Sequence, residues 1–243
     1  MITNSCNDSV YIDISENIKV IKSSVAEAAI KSGRNPDDVR LMAVTKTVSF
    51  DKINFALDNC GIDLIGENKV QEFLSKKDEL HLDGVEKHLI GHLQTNKVKK
   101  ILPYVDMIQS VDSVRLADAI DKASEKLGVV TNVLLEVNIG GEDSKTGFDK
   151  AAFINSLHEI SQMSSLSVKG LMTIPPICDD DLLLEKYFAD MHDYYNEIKE
   201  MKLQNFDFNI LSMGMSGDFY QAILHGSNLV RVGSAIFGAR IYK

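Results

Sequence analysis

Apolar residues recur at steps of four and three through Ile14, Ile18, Ile21, Val25 and Ala28, which predicts one helix with a single buried face and Gly33 as its stop. Beyond Gly33 the pattern changes. Short apolar runs near 41–45, 62–65, 88–91, 106–110, 130–138, 168–173, 208–213 and 229–232 read as strands. Helical periodicity fills the gaps near 51–58, 67–79, 94–101, 113–127, 149–163, 180–201 and 217–224. Strands that alternate with helices imply a parallel sheet, because a parallel return needs a crossover long enough to hold a helix. Eight such units in about 200 residues favour a single α/β (β/α)8 TIM-type barrel carrying an extra N-terminal helix. A doubly wound open sheet is the alternative. Residues 1–12 read as a variable N-terminal tail and 13–243 as one barrel domain, with no Pro/Gly-rich linker between segments.

Composition narrows the function classes. The chain has 243 residues, 44% of them hydrophobic and 25% charged, which is enough for a sizeable core. Its formal net charge of −9 argues against broad binding to nucleic acid backbones, which needs clustered Lys and Arg. No apolar run approaches the roughly 18 residues of a membrane span. The opening residues MITNSCNDSV lack the basic and apolar segments of a secretory leader. The cysteines Cys6, Cys60 and Cys178 form neither a disulfide framework nor a zinc motif. These features point to a soluble, cytoplasmic protein.

A barrel of this kind carries its site at the C-terminal strand ends. Lys46 follows the first strand and shares a face with Met42 and Val44 by strand alternation. A lysine at the mouth beside apolar neighbours loses proton affinity and becomes able to form an imine. A solvated lysine just past the strand is the alternative on position alone. After the seventh and eighth strands come two glycine/serine turns, Gly214-Met215-Ser216-Gly217 and Gly233-Ser234. Loops at those ordinal positions often cradle phosphate in such barrels, although Gly-Ser after a strand is also ordinary turn chemistry. Arg231 lies inside an apolar strand and needs a partner if it points inward. A structural ion pair would satisfy it as well as a phosphate or a ring nitrogen. A lysine, a phosphate cup and an arginine at one mouth together fit pyridoxal 5′-phosphate (PLP).

Other residues carry weaker signals. His88 and His92, four apart, would sit together on a helix, but Gly91 and the apolar neighbours place them at a strand end, which disfavours a metal pair. Glu67, Gln71 and Glu72 read as acidic and polar residues of a first helical turn. Lys145 reads as a solvated loop lysine, with substrate contact or transient PLP capture as the alternative. Asp179, Asp180 and Asp181 read as helix capping. Tyr187, Phe188, Tyr194 and Tyr195 have helical spacing and read as packing residues.

The segments AVTKT (43–47), GENKVQE (66–72), HLIGHLQTNK (88–97), VNIGGEDSKTGF (137–148), GLMTIP (170–175), LSMGMSGDF (211–219) and GSNLVRVGSAIFGAR (226–240) run in order over nearly the whole chain. In these the sequence resembles the YggS/PROSC family of pyridoxal phosphate homeostasis proteins. The resemblance implies a PLP-binding barrel related to the N-terminal domain of alanine racemase, with Lys46 as the Schiff-base lysine. It also implies Ser216, Gly233 and Ser234 at the phosphate, Arg231 near the ring nitrogen and the phosphate, and Asn68 and Met213 lining the pocket. The departures are His92 where the family usually has proline, Leu89 where an aromatic is common, Gly217 where an acid is common, and Ser234 for threonine.

The expected function is therefore a carrier and buffer in intracellular PLP homeostasis, with no catalytic residue assigned and little or no amino-acid turnover. The chain ends at Lys243 directly after the last barrel unit, so no second domain is expected to supply further acid/base groups. Apo PLP-dependent enzymes are candidate recipients, a monomer is expected, and neither nucleic acid, membrane nor metal is. The alternatives are a low-activity PLP-dependent racemase or lyase, and a cofactor-free barrel using Lys46 as an aldolase-type lysine.

Overall fold

Strand β8 (Leu229–Val232) pairs in parallel with β1 (Arg40–Val44), from Arg40↔Leu229 to Ala43↔Val232, and this seam closes the sheet into a barrel. The closure excludes the open doubly wound alternative. Between them, in sequence order, stand β2 (Leu64–Glu67), β3 (Glu86–Leu89), β4 (Met107–Val111), β5 (Thr131–Glu136), β6 (Leu166–Met172) and β7 (Phe206–Ser212). The computed structural model describes residues 5–142, 146–177 and 180–238. Around the barrel lie α2 (Phe50–Cys60), α3 (Val70–Lys76), α4 (Val98–Ile101), α5 (Val114–Leu127), α6 (Lys150–Ile160), α7 (Asp181–Glu200), α8 (Phe219–Leu224) and α9 (Ser234–Phe237). The extra helix α1 covers Ser5–Lys31, so it takes in residues 5–12 of the stretch read as tail.

Toward their C-terminal ends the strands are covered on both faces, and alternation sorts their residues into two layers. Ala43, Ile65, Leu89, Leu171, Leu211 and Val230 belong to the outer core between strands and helices. Inside the barrel the apolar side chains fall into two separate clusters. One is Met42, Val44, Leu64, Ile90 and Leu229; the other is Met107, Leu134 and Met172. The remaining interior holds polar side chains, among them His88, Gln109, Ser212 and Arg231, all buried.

Helix α1 packs on α2, α8 and α9, across the β8–β1 seam. The face predicted from its spacing is the face it buries: Ile14, Ile18, Ile21, Val25 and Ala28 are each no more than 5% exposed. Burial on this scale is worth about 1.5–3 kcal/mol for each large side chain. Just after the helix, Arg34 donates to the carbonyls of Gly226 (3.2 Å) and Ser227 (2.9 Å), tying this end of the molecule to the loop before β8. Asp180 caps α7 by accepting from Leu182 N and Leu183 N. Phe188 and Tyr195 are buried, Tyr187 and Tyr194 lean on the same core, and Tyr195 stacks on Phe208 at 5.3 Å, so these aromatics are packing residues.

Candidate functional site

The first wall of the site is the turn after β1. Thr45 points outward and its hydroxyl donates to Glu67 Oε2 at 3.0 Å. Lys76 on α3 forms an ion pair with Glu67 and donates to the Thr45 carbonyl at 2.9 Å. Thr47 adopts φ 61°, an uncommon left-handed conformation for a β-branched residue, and its N–H is taken by the Glu72 carboxylate. Glu67 is thus the last residue of β2 and buried, a correction to its expected place in a helical turn; Glu72 does lie in the first turn of α3. This frame leaves Lys46 half-buried between Thr45 and Thr47.

The second wall comes from the loops after β7 and β8. The Ser216 hydroxyl accepts from Gly233 N at 3.2 Å and Ala235 N at 3.3 Å, so the two loops are stitched together and two N–H groups converge on one oxygen. Arg231 N donates to Gly214 O at 3.0 Å. Gly214 has φ 94°, and a Cβ there would lie 2.6 Å from Ala222 Cβ, so only glycine fits this crossing. Gly233 sits against Val44, and the walls meet there. Lys46, Val44, Thr47, Lys52, Gly233 and Ser234 all line one cleft of about 270 Å³.

Arg231 is 3% exposed and points into the barrel. Its Nη1 donates to Ser212 Oγ at 2.7 Å and its Nη2 to the Thr173 carbonyl at 2.8 Å. Burial pulls this guanidinium down to about 10, while Asp218 and Glu136 favour its charged form. It therefore remains a cation at neutral pH, with further N–H donors beyond the two bonds. Burial likewise pushes the Glu136 carboxyl up, against a hydrogen bond from Thr146.

Asn68 follows β2 directly, and its Oδ1 is buried without a hydrogen-bond partner. A buried acceptor left unpaired costs about 1–3 kcal/mol, so this atom invites a donor. Met213 is fully buried with Leu211 in the strand–helix layer, and its side chain does not line the cleft. His88 lies inside the barrel on β3, whereas His92 is exposed and pairs with Asp112 at 3.0 Å, so the two histidines are not neighbours on a helix. Lys145, Cys178 and Asp179 lie outside the described residues. The motifs left His88, Gln109 and Ser212 unassigned to Arg231. The available signal was a polar residue at an inward position of an apolar strand.

Residues 14–241 match the family described as alanine racemase, N-terminal domain. A protein of Aquifex aeolicus (strain VF5) named pyridoxal phosphate homeostasis protein is 37% identical over 231 residues, covering 93% of this chain and 98% of its own length. PipY of Synechococcus elongatus PCC7942, solved with PLP bound, is 33% identical, with a TM-score of 0.79 and coverage of 88% of this chain and 100% of PipY. The alanine racemase of Streptomyces coelicolor A3(2) shares the fold at a TM-score of 0.71 with 15% identity, over 95% of this chain and 59% of the racemase. The chain belongs to the family of pyridoxal phosphate homeostasis proteins, built on the fold of the alanine racemase N-terminal domain.

Proposed function

We propose that this chain binds PLP through Lys46 and acts in intracellular PLP homeostasis as a carrier and buffer, with little or no amino-acid turnover. The observation that carries this reading is the shared cleft, which Lys46 enters from β1 while Gly233 and Ser234 enter from β8. An amine and a backbone anion cup in one opening are what an aldehyde-bearing phosphate ester requires. The name of the Aquifex aeolicus relative and the PLP bound to PipY support the same assignment.

The residues present fit the group. Two N–H donors already converge on Ser216 Oγ, which is the geometry a phosphate oxygen needs. The unpaired Asn68 Oδ1 has an acceptor to offer. When bound, PLP supplies a reactive aldehyde carbon and an electron-withdrawing ring. Lys46 Nζ supplies the amine for that carbon. Ser216, Gly233 and Ser234 would hold the phosphate, and Asn68, next after β2, would stand beside the ring. Arg231 would face the ring nitrogen and, being a cation itself, would keep that nitrogen unprotonated. An unprotonated ring withdraws electrons less strongly, which favours holding the cofactor over processing amino acids. Among the described residues no helix is long and apolar enough to cross a membrane. This reading sets the role in the cytoplasm and takes apo PLP-dependent enzymes as the recipients.

The test is the absorption spectrum of the purified protein incubated with PLP, before and after borohydride, for wild type and Lys46→Ala. A visible band confined to wild type and bleached by borohydride is expected; no band in wild type would contradict the reading. Alanine turnover measured alongside separates the roles, since steady racemisation lost in Lys46→Ala would favour an enzyme over a carrier.

A further inference from the structure

A string of polar side chains crosses the inside of the barrel from its floor to Arg231. At the floor, Arg40 opens β1 and Glu86 opens β3, and Arg40 Nη1 donates to Glu86 Oε2 at 2.6 Å. His88 Nε2 meets Glu86 Oε1 at 2.6 Å, and Gln109 Nε2 meets His88 Nδ1 at 2.7 Å. Ser212 Oγ donates to Gln109 Oε1 at 2.7 Å and accepts from Arg231 Nη1 at 2.7 Å. His88, Gln109, Ser212 and Arg231 are each no more than 3% exposed, so water does not compete for these bonds.

The two ends fix the protons between them. A guanidinium only donates, and an ionised carboxylate only accepts. Glu86 accepts from both Arg40 and His88, and these bonds favour its ionised form at neutral pH. Ser212, having accepted from Arg231, gives its proton to Gln109 Oε1. Gln109 Nε2 then gives to His88 Nδ1, and His88 Nε2 gives to Glu86. Turning the Gln109 amide over would set its NH2 against the Ser212 hydroxyl. The Ser212 proton would then lack an acceptor here, since Arg231 has none to offer.

We infer that Ser212, Gln109 and His88 are positioning residues for Arg231: a one-way donor chain orients the guanidinium for the cofactor, with the His88 ring held neutral and protonated at Nε2. The consequence for the cofactor rests on the PLP reading above; the state of the chain does not.

The ring is read by 15N NMR of the protein without added PLP. Wild type should show a neutral His88 protonated at Nε2. Gln109→Glu puts an acceptor where Nδ1 now meets a donor, and should convert His88 to the doubly protonated ring. Ser212→Ala removes the Nη1 acceptor and should weaken PLP retention about tenfold and shift the visible band of the bound cofactor. Ser212→Thr, which keeps the hydroxyl, should restore both, which repair of packing alone would not do. A wild-type His88 protonated at Nδ1, or Ser212→Ala with the wild-type band and PLP retention, would overturn the inference. Failure of wild type to take up PLP would overturn the PLP reading, with the His88 ring still deciding whether the chain exists.

Discussion

Lys46 owes its setting to side chains that lie behind it. Thr45, Glu67, Glu72 and Lys76 fix the turn from the helix side, through the Thr45 hydroxyl, the Thr45 carbonyl and the Thr47 N–H. Val44 supplies the apolar neighbour on the cleft side. Glu86 does comparable work at the barrel floor, where it accepts from both His88 and Arg40. Its carboxyl is held at about 2 in the folded protein against an ordinary value of 4.5. A depressed carboxyl contributes stability that is fully present above 4.5 and is lost as pH falls toward about 2. The side chain is 31% exposed, and solvent screening reduces the contribution to about 1 kcal/mol. Glu86→Gln should therefore be less stable than wild type by about that amount at pH 7, in urea unfolding. The gap should narrow on acidification through this window, and a gap independent of pH would contradict the assignment.

At the scale of elements, the site depends on how closely neighbouring strand ends approach. The loop after β3 presses on the residue after β2: a Cβ at Gly91 would lie 2.3 Å from the Asn68 carbonyl oxygen and 2.8 Å from its Cα. Gly91→Ala should cost about 1–3 kcal/mol in urea unfolding through overpacking. It should also displace Asn68 and weaken PLP retention. Wild-type stability for this variant would mean that the two loops are free to separate. Much of this architecture was legible in the sequence, because the strands are buried on both faces toward their C-terminal ends and most read as short apolar runs. The face of α1 was legible because its helical period is unbroken from Ile14 to Ala28. Lys46, Gly233 and Ser234 were legible because strand ends have fixed ordinal places in a closed barrel. Glu67 was misplaced because GEN looks like a helix start, while the chain keeps strand geometry to Glu67. Met213 shares its face with Leu211, so alternation turns it to the outer core and turns Ser212 inward. The link between Gln109 and Ser212 spans 103 residues, and no local pattern encodes such a bond.

Taken whole, the molecule sets a local cationic site inside an acidic chain. The formal net charge is −9, yet the cleft carries Lys46 and Lys52, and the buried Arg231 stands at the inner end of the β8 wall. The attraction for a phosphate is therefore a property of the mouth rather than of the surface as a whole. Closure of the barrel makes this possible, since it sets the first strand beside the eighth and brings residues 46 and 233 to one opening. Lys46 and Lys52 share that opening, so the central question is which amine PLP takes. The decisive measurement is peptide mass mapping after incubation with PLP and reduction with borohydride. A single phosphopyridoxyl addition on the peptide that carries Lys46 is the predicted result. An addition on Lys52 instead, or none on any lysine, would contradict it.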